Sequence, residues 1–594
     1  MYGWHRKILV VDLTSGTFQE EALPGEVAHT WLGGRGLGTY WLYHHLEQGI
    51  DPLGADNHLV FAAGPLAGTR APASGRVSAS TKSPLTGTVF DSNAGGAFGV
   101  RLKSCGYEAL VVTGRSASPV YLKVSPGTVS LEPAEALWGQ DTRAAHRHLA
   151  GAGGPGSSVV CIGPAGENLV RFASVAVDGR RSLGRGGLGA VMGAKGLKGI
   201  VARGNMPTAI ADPEGAGFVC YEMEKVLKAN PVTSQALPEF GTAVLVNLLN
   251  QAGAWPAGNF RQSSFSGAEA ISGEALAGSL MEKRFACYRC PIGCGRLTRT
   301  SRDRGEGPEY ESIWALGANL GVEDLQVIAE ANYLCNRLGL DTISTGGTLA
   351  CAAELGLEAD FGRPGVLLDL IEKIAFRRGV GDELAEGSRR LAEKYGRPEL
   401  AMQVKGLELP AYDPRGLKGQ GLAYATSNRG GCHLRANMLG PEILGTPKRV
   451  NRFAWAGKAG LVIVMQHTSA VLDSLVMCKF TSFALGDEHY ARLLTRVTGE
   501  EYRPQDLQVI GERVWNLERL FNLREGFARA DDTLPPRLTS TPVSDGPGRG
   551  QIVELEPMLG EYYRFREWDE HGRPTPAKLA RLGLTEVGSG GDAV

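Results

Sequence analysis

The run Cys287-Tyr-Arg-Cys290-Pro-Ile-Gly-Cys294 constrains this 594-residue chain more than any other feature. Three thiols spaced C-x2-C-x3-C cannot all reach one centre from a single regular helix face, so the backbone has to wrap around it. Pro291 and Gly293 suit such a wrap. Thiolate ligands select zinc, copper(I) or an iron–sulfur cluster. A closed site needs a fourth ligand, and none lies within the run; Cys432 and Cys478 are the distant candidates. On spacing alone, a structural zinc clip and an iron–sulfur centre both stand. The ten cysteines are too few for a disulfide scaffold. With no secretory leader at the start, they point to a metal site in a reducing cytoplasm.

The charge balance narrows the function classes. Lys and Arg total 62 against 63 Asp and Glu, a net charge of −1. A nucleic-acid protein normally carries a basic excess, and an anionic membrane surface would call for one too. No apolar run reaches the ~18 residues that mark a membrane-spanning helix. With 43% hydrophobic and 21% charged residues, the chain reads as an ordinary soluble globular protein.

Glycine is uneven: 34 of the 82 fall in the first 200 residues, which also hold short β-branched runs. Strands are expected at Lys7–Leu13, His58–Ala63, Ala109–Thr113, Val120–Val124 and Ser158–Ile162. After Pro213 the periodicity turns helical, over Glu214–Lys228, Glu323–Leu338, Gly365–Arg377, Asp382–Tyr395, Glu488–Val497 and Gln505–Leu523. Asp324 and Pro504 stand at helix starts, and Gly339 at a stop. The expected class is α+β: a β-rich domain over 1–208, then two mainly α-helical domains over 209–408 and 409–594. The Pro410 and Pro414 breaks set the second limit. The Gly-rich end, residues 588–594, is expected to fray. No internal repeat is evident.

Four other stretches could carry chemistry. The loops around Gly75-Arg76, Asn93-Ala-Gly95 and Arg180-Arg181-Ser182-Leu-Gly184 interleave glycine with Arg, which suits an anion; they match no Walker or Rossmann fingerprint. Asn336-Arg-Leu-Gly-Leu340-Asp341 places a carboxylate just past a helix stop, as a plain helix junction also would. Asp473-Ser-Leu-Val-Met-Cys478-Lys479 sets a carboxylate near a cysteine, or a capping Asp near a buried one. Tyr310-Glu311 and Cys432-His433 offer a carboxyl and an imidazole, the usual pair for moving protons near pH 7.

Taken together, these motifs make the chain resemble the tungsten-containing aldehyde:ferredoxin oxidoreductase family. The resemblance runs from Tyr2-Gly-Trp4 through Gly64-Pro-Leu-Ala-Gly68, Lys82-Ser-Pro-Leu-Thr-Gly87, Gly163-Pro-Ala-Gly-Glu167 and Gly184-Arg-Gly-Gly-Leu-Gly189. It continues through Gly307-Pro-Glu-Tyr-Glu311, Leu409-Pro-Ala-Tyr-Asp-Pro-Arg-Gly416 and Asp531-Asp-Thr-Leu-Pro535.

The resemblance implies an N-terminal β-domain that forms the base for two pterins, with two helical domains behind it. It implies one tungsten held by the two pterins, a magnesium ion joining their phosphates, and a nearby [4Fe–4S] cluster. Cys287, Cys290, Cys294 and Cys478 would hold the cluster, and Arg76 would bridge it to a pterin. Asn93 and Ser182 would offer backbone carbonyls to Mg2+, with Gly95 and Arg181 near the phosphates. Asp341 and Asp473 would accept from pterin N–H groups, Leu340 and Lys479 would contact the rings through the backbone, and Arg435 would approach a pterin. Asn336 stands where the family commonly has Asp, and its amide can still accept a hydrogen bond.

Glu311 and His433 are then the implied catalytic pair, with Tyr310 orienting the substrate. The implied reaction takes an aldehyde to its carboxylic acid and passes electrons to ferredoxin or an iron–sulfur electron-transfer subunit. A homodimer is compatible with the sequence, although Glu330 and Tyr333 stand where some relatives carry an inter-subunit Glu-x-x-His metal site. Two alternatives remain at this level. One is a molybdenum bis-pterin oxidoreductase; the other is a non-catalytic iron–sulfur or zinc subunit.

Overall fold

The computed structural model describes residues 1–585, so the glycine-rich end over 588–594 lies outside the described residues. Two six-stranded sheets form the first third. The first contains β1 (Lys7–Asp12), β2 (Thr17–Ala22), β3 (Leu59–Ala62), β4 (Val77–Lys82), β5 (Val89–Ala94) and β6 (Ala109–Thr113), in the order β2-β1-β6-β3-β4-β5. The second contains β7 (Val120–Ser125), β8 (Thr128–Pro133), β9 (Ser158–Cys161), β10 (Val175–Val177), β11 (Arg181–Leu183) and β12 (Leu197–Ala202), in the order β11-β10-β9-β12-β7-β8.

These are the same topology written twice. Each half runs as a hairpin, helical crossover, three-strand meander, short helix and last strand. Each last strand inserts parallel to the first strand of its hairpin: β6 beside β1 and β12 beside β7. The chain therefore carries an internal repeat that was not expected. Traces in the residues are Gly64-Pro65 just after β3 and Gly163-Pro164 just after β9, and the Gly-Gly pairs 95–96 and 186–187 ahead of the short helices that precede β6 and β12. The edge strands β5 and β11 lie against each other, which brings the loops after them to one line.

Gly64 and Gly163 are there for close approach. A Cβ on Gly163 would come within 2.5 Å of the Leu338 carbonyl oxygen, at the end of helix Leu325–Leu338. A Cβ on Gly64 would collide with the Leu475 carbonyl, at the end of helix Ala459–Leu475. Each half of the β-region thus receives the C-terminal end of one helix from the rest of the chain.

The expected helices form, with capping that explains their limits. Asp324 accepts from the backbone N–H groups of Gln326 and Val327, and Gly339 ends the same helix in the left-handed region at φ 80°. Pro504 opens the helix Pro504–Arg524, which packs on Ala459–Leu475. One expected helix divides. Asp382–Tyr395 becomes Val380–Leu384 and Ser388–Lys394. Gly387 turns the chain at φ 89°, and Glu408 Oε1 captures both the N–H and the hydroxyl of Ser388.

The mainly helical stretch also holds an unexpected sheet: β13 (Met281–Phe285), β14 (Gly295–Arg299) and β15 (Arg304–Glu306). The apolar core crosses all three stretches, from Leu9 to Trp568 in a single cluster. Among the described residues no helix is long and apolar enough to cross a membrane.

Candidate active site and cluster pocket

The cysteine run is the loop between β13 and β14. It reverses through Arg289 (φ 47°) and Gly293 (φ 65°), and the Cys290 N–H donates to the Cys287 carbonyl at 3.1 Å. Arg296, buried on β14, holds the Cys294 carbonyl. Cys478 arrives from another direction. Helix Ala459–Leu475 ends at Val476 in the left-handed region, and the Cys478 N–H donates to the Ala73 carbonyl at 3.1 Å. The Ala73 N–H in turn donates to the Arg289 carbonyl at 2.9 Å, so one β-region loop splices both cysteine segments together. All four thiol-bearing residues line one cavity of about 600 Å³.

Among the described residues no three His, Cys, Asp or Glu side chains converge on a single metal ion. A [4Fe–4S] cluster takes four thiolates, and four cysteines line this cavity. Burial pushes the Cys290 thiol up to about 11, and the Cys294 thiol higher still, with the neighbouring thiols adding to each and Glu309 adding at Cys294. These thiols become thiolates only against a bound cationic centre. Cys432, the other candidate ligand, lies apart from the cavity wall. Its sulfur accepts from Arg429 Nη2 at 2.8 Å and from the Leu434 N–H at 3.3 Å. Burial alone would raise that thiol; Arg429, Arg435 and Arg185 outweigh it and bring it down to about 7.

The cavity runs from the thiols over the meeting line of β5 and β11. Arg76 spans it and donates Nη2 to the Asn93 carbonyl at 3.0 Å. Gly95 has no room for a side chain: a Cβ there would sit 2.6 Å from Cys287 Sγ. Ser182 lies on β11, and Arg181 beside it reaches Glu306 at 2.5 Å and Glu309 at 3.2 Å, over the Phe285 ring. Burial pushes Glu306 up to about 8 despite that guanidinium. Asn336 and Leu340 line the same space. Asp341 does both things the sequence suggests for it. It caps helix Thr342–Glu354 through the Ile343 N–H at 3.0 Å, and its second oxygen faces Arg185 Nε at 3.1 Å.

Asp473, Arg435 and Lys479 are not part of this wall. Asp473 lies within helix Ala459–Leu475, not at a cap, and Oδ2 takes Arg435 Nη1 at 2.9 Å and Lys479 Nζ at 2.8 Å. The network continues through Asp91, which Arg435 also grips, to Arg35 and Glu518 (2.6 Å). Burial alone would raise Asp91; Arg435, Arg35 and Arg429 hold it down to about 2. Sequence reasoning missed Arg35 and Glu518; Asp91 and Arg185 stood within the glycine-rich loops but were given no role. Arg35, Asp91 and Arg185 had one signal, a charge in a glycine-rich or strand-like segment; Glu518, inside the helix Pro504–Arg524, had none.

At the other end, Glu311 stands in the first turn of helix Tyr310–Leu316, and His433 lies beyond helix Lys418–Thr426. Glu311 Oε1 and His433 Nδ1 are 3.5 Å apart, and neither has another hydrogen-bond partner. The Ala411 N–H donates to Glu311 Oε2 at 2.9 Å, which fixes the carboxyl, while the Tyr310 hydroxyl donates to the Ala411 carbonyl at 2.7 Å. The Tyr412 ring packs on His433 with centroids 5.5 Å apart. Burial pushes Glu311 up to about 8. Burial, then Arg185, Arg429 and Lys479, hold His433 well below its ordinary value, so its ring is neutral near pH 7.

The residues fit a large polar group beside a cluster. Asn93 Oδ1, Arg181 Nε, Glu306 Oε2, Glu311 Oε1 and His433 Nδ1 are all buried around the cavity without a hydrogen-bond partner. Unpaired buried polar atoms of this kind cost stability unless something else satisfies them.

Comparison with known proteins agrees with this reading. The family description "Aldehyde ferredoxin oxidoreductase, N-terminal domain" matches residues 8–204, and "Aldehyde ferredoxin oxidoreductase, domains 2 & 3" matches 219–584. The chain is 47% identical to a tungsten-containing aldehyde ferredoxin oxidoreductase of Pyrococcus furiosus, over 99% of this chain and 100% of that one. It is 46% identical to the protein so named in Thermococcus kodakarensis, with the same coverage. Among solved structures, the active site complex BamBC of benzoyl coenzyme A reductase superposes with a TM-score of 0.87 over 99% of this chain and 98% of that one. At 24% identity, that likeness speaks for the fold alone.

Proposed function

Since the chain belongs to the aldehyde ferredoxin oxidoreductase family, we propose the following roles for its residues. The enzyme oxidises aldehydes to carboxylic acids at a tungsten centre and delivers the electrons to ferredoxin. The observation that carries the reading is one cavity joining four thiols from two distant segments to the Glu311–His433 pair. When bound, a tungsten bis-pterin supplies the two-electron acceptor and a [4Fe–4S] cluster the one-electron exit.

Cys287, Cys290, Cys294 and Cys478 would hold the cluster, and Arg76, which lines the same cavity, would donate hydrogen bonds to the groups bound there. The repeated halves give each pterin an equivalent floor. In this scheme Asn93 and Ser182, on the two adjoining edge strands, offer their carbonyls to Mg2+, with Gly95 and Arg181 by the phosphates. Asp341 and Asp473 close the two sites from the two helical stretches. Leu340 and Lys479 follow through their backbones, and Asn336 and Arg435 stand at the edges. For Asp473, Arg435 and Lys479 this requires the ion network to share its carboxylate with the pterin. We place the three structural units at 1–208, 209–408 and 409–594, supported by the end of the second sheet at Ala202 and by the break around Pro410 and Pro414.

Glu311 takes the proton from a water that attacks the carbonyl carbon. A carboxyl group whose pKa burial has raised is a stronger base once ionised. A proton on Glu311 can be shared with His433 Nδ1, which leaves Nε2 as an N–H donor toward the developing negative charge on the carbonyl oxygen. Tyr310 acts through Ala411, whose N–H holds the carboxyl in place. The test is aldehyde-dependent reduction of a viologen dye, combined with metal analysis. About one tungsten and four irons per chain are expected, by the stoichiometry of one cluster. Molybdenum in place of tungsten, or zinc alone, would refute the assignment.

A further inference from the structure

The cysteine loop reaches the protein surface in an unusual charge setting. Ala286, Arg289 and Pro291 are exposed and alternate with Cys287 and Cys290. On one side of this loop, β13 presents exposed Arg284, within electrostatic reach of Arg296, which grips the Cys294 carbonyl. On the other side lies helix Pro213–Ala229. Cys220 on that helix feels both Arg70 and Arg289, with Glu224 as the one acidic group alongside them. Arg70 and Arg289 are exposed, as are two aromatic rings of the helix, Phe218 (59%) and Tyr221 (56%).

Among the described residues Arg70, Arg284 and Arg289 make no ion pair with a carboxylate. Two nearby acids are engaged elsewhere, Glu282 with Arg299 and Arg304 and Glu222 with Arg492, which leaves Glu224 as the one carboxylate alongside Arg70 and Arg289. In a chain whose net charge is only −1, three unpaired arginines beside a redox loop are a local excess. Exposed aromatics and unpaired arginines are both residue types that carry binding energy at protein interfaces.

We propose that Arg70, Arg284 and Arg289, with Phe218 and Tyr221, form the docking surface for an acidic ferredoxin. Charge complementarity selects that occupant, and the surface lies over the loop that carries three of the four cluster thiols. The proposal rests on the function proposed above. Each turnover converts an aldehyde and one water into a carboxylic acid, two protons and two electrons. A ferredoxin accepts one electron, so two oxidised ferredoxins visit this surface per turnover. Long-range attraction raises the rate of such encounters and weakens as salt is added.

The experiment compares loaded wild-type enzyme with Arg70→Glu/Arg284→Glu, both outside the cysteine loop, following aldehyde-dependent reduction of an acidic ferredoxin and, separately, of a viologen dye. The expected result is a KM for ferredoxin raised about tenfold or more, with a flattened salt dependence, while viologen turnover and iron content stay at the wild-type level. Arg70→Glu alone should raise the same KM and decides the matter if the double variant loses iron. A ferredoxin KM within about twofold of wild type at low salt in the iron-replete variants overturns the proposal. So does conversion of a dimer to a monomer with that KM unchanged, since the patch would then hold a second copy of this chain. Wild-type enzyme that reduces no viologen with any aldehyde would instead refute the functional reading itself.

Discussion

The proposed chemistry of the site comes down to two side chains whose surroundings push them toward neutrality. Glu311 is drawn up to about 8 and His433 is held well below its ordinary value, both chiefly by burial. A base with that pKa is mostly protonated at pH 7 and ionises as the pH rises, so kcat/KM should climb through about pH 8. The His433 titration, displaced downward, should leave no limb near pH 6–7. A pH profile of viologen reduction checks both statements. Glu311→Gln keeps the shape and the Ala411 N–H contact but cannot take a proton. Activity should fall by about 10²-fold or more, the limb near pH 8 should vanish, and tungsten and iron content should not change. Asp91 makes the complementary point about structure. Its charge answers three buried guanidinium groups, so Asp91→Asn should cost about 3–5 kcal/mol by leaving buried charge uncompensated. A drop in thermal midpoint reports that loss.

Among the elements, the glycines decide how closely strands, loops and helices approach. Gly95→Ala would drive a methyl group toward Cys287 Sγ, 2.6 Å away, so the purified variant should hold less iron. Gly151→Ala is the contrast. It lies in helix Thr142–Gly153, where an added Cβ meets nothing within 4 Å. It should leave iron content unchanged and stabilise the protein by about 0.5–1 kcal/mol. The helices were legible because their period, caps and stops are local: Asp324, Gly339 and Pro504 do what their positions suggest. The β13–β15 sheet was not legible, since its strands are short, charged and interrupted by the cysteine loop. Nor was the division at Gly387, which depends on Glu408 reaching Ser388 from a separate strand.

For the whole molecule, the cluster site is also a fastener. Cys478 follows a helix of the last third, the other three thiols belong to the middle, and Ala73 of the β-region bonds to both segments. Removing iron should therefore loosen packing as well as stop electron flow. Anaerobic chelation of the wild-type protein and the substitution Cys478→Ala should lower the thermal midpoint by a similar amount, with scanning calorimetry as the readout. A midpoint unchanged by both treatments would show that the thiols carry electrons without holding the fold together.

By itself the sequence determined the family and the β-then-helix order, and it singled out the residues proposed above as the catalytic pair. Those follow from residue type, local spacing and a full-length resemblance. The resemblance pointed to Cys478, and the tertiary structure places Cys478, not Cys432, in the cavity with the other three thiols. The tertiary structure alone revealed that the β-region is one topology used twice, and that Asp473 sits in an ion network away from the cavity wall. The physical reason is range. Caps, turns and thiol spacing act over a few residues, whereas a shared cavity or a buried charge network depends on groups hundreds of residues apart, whose meeting no local pattern encodes.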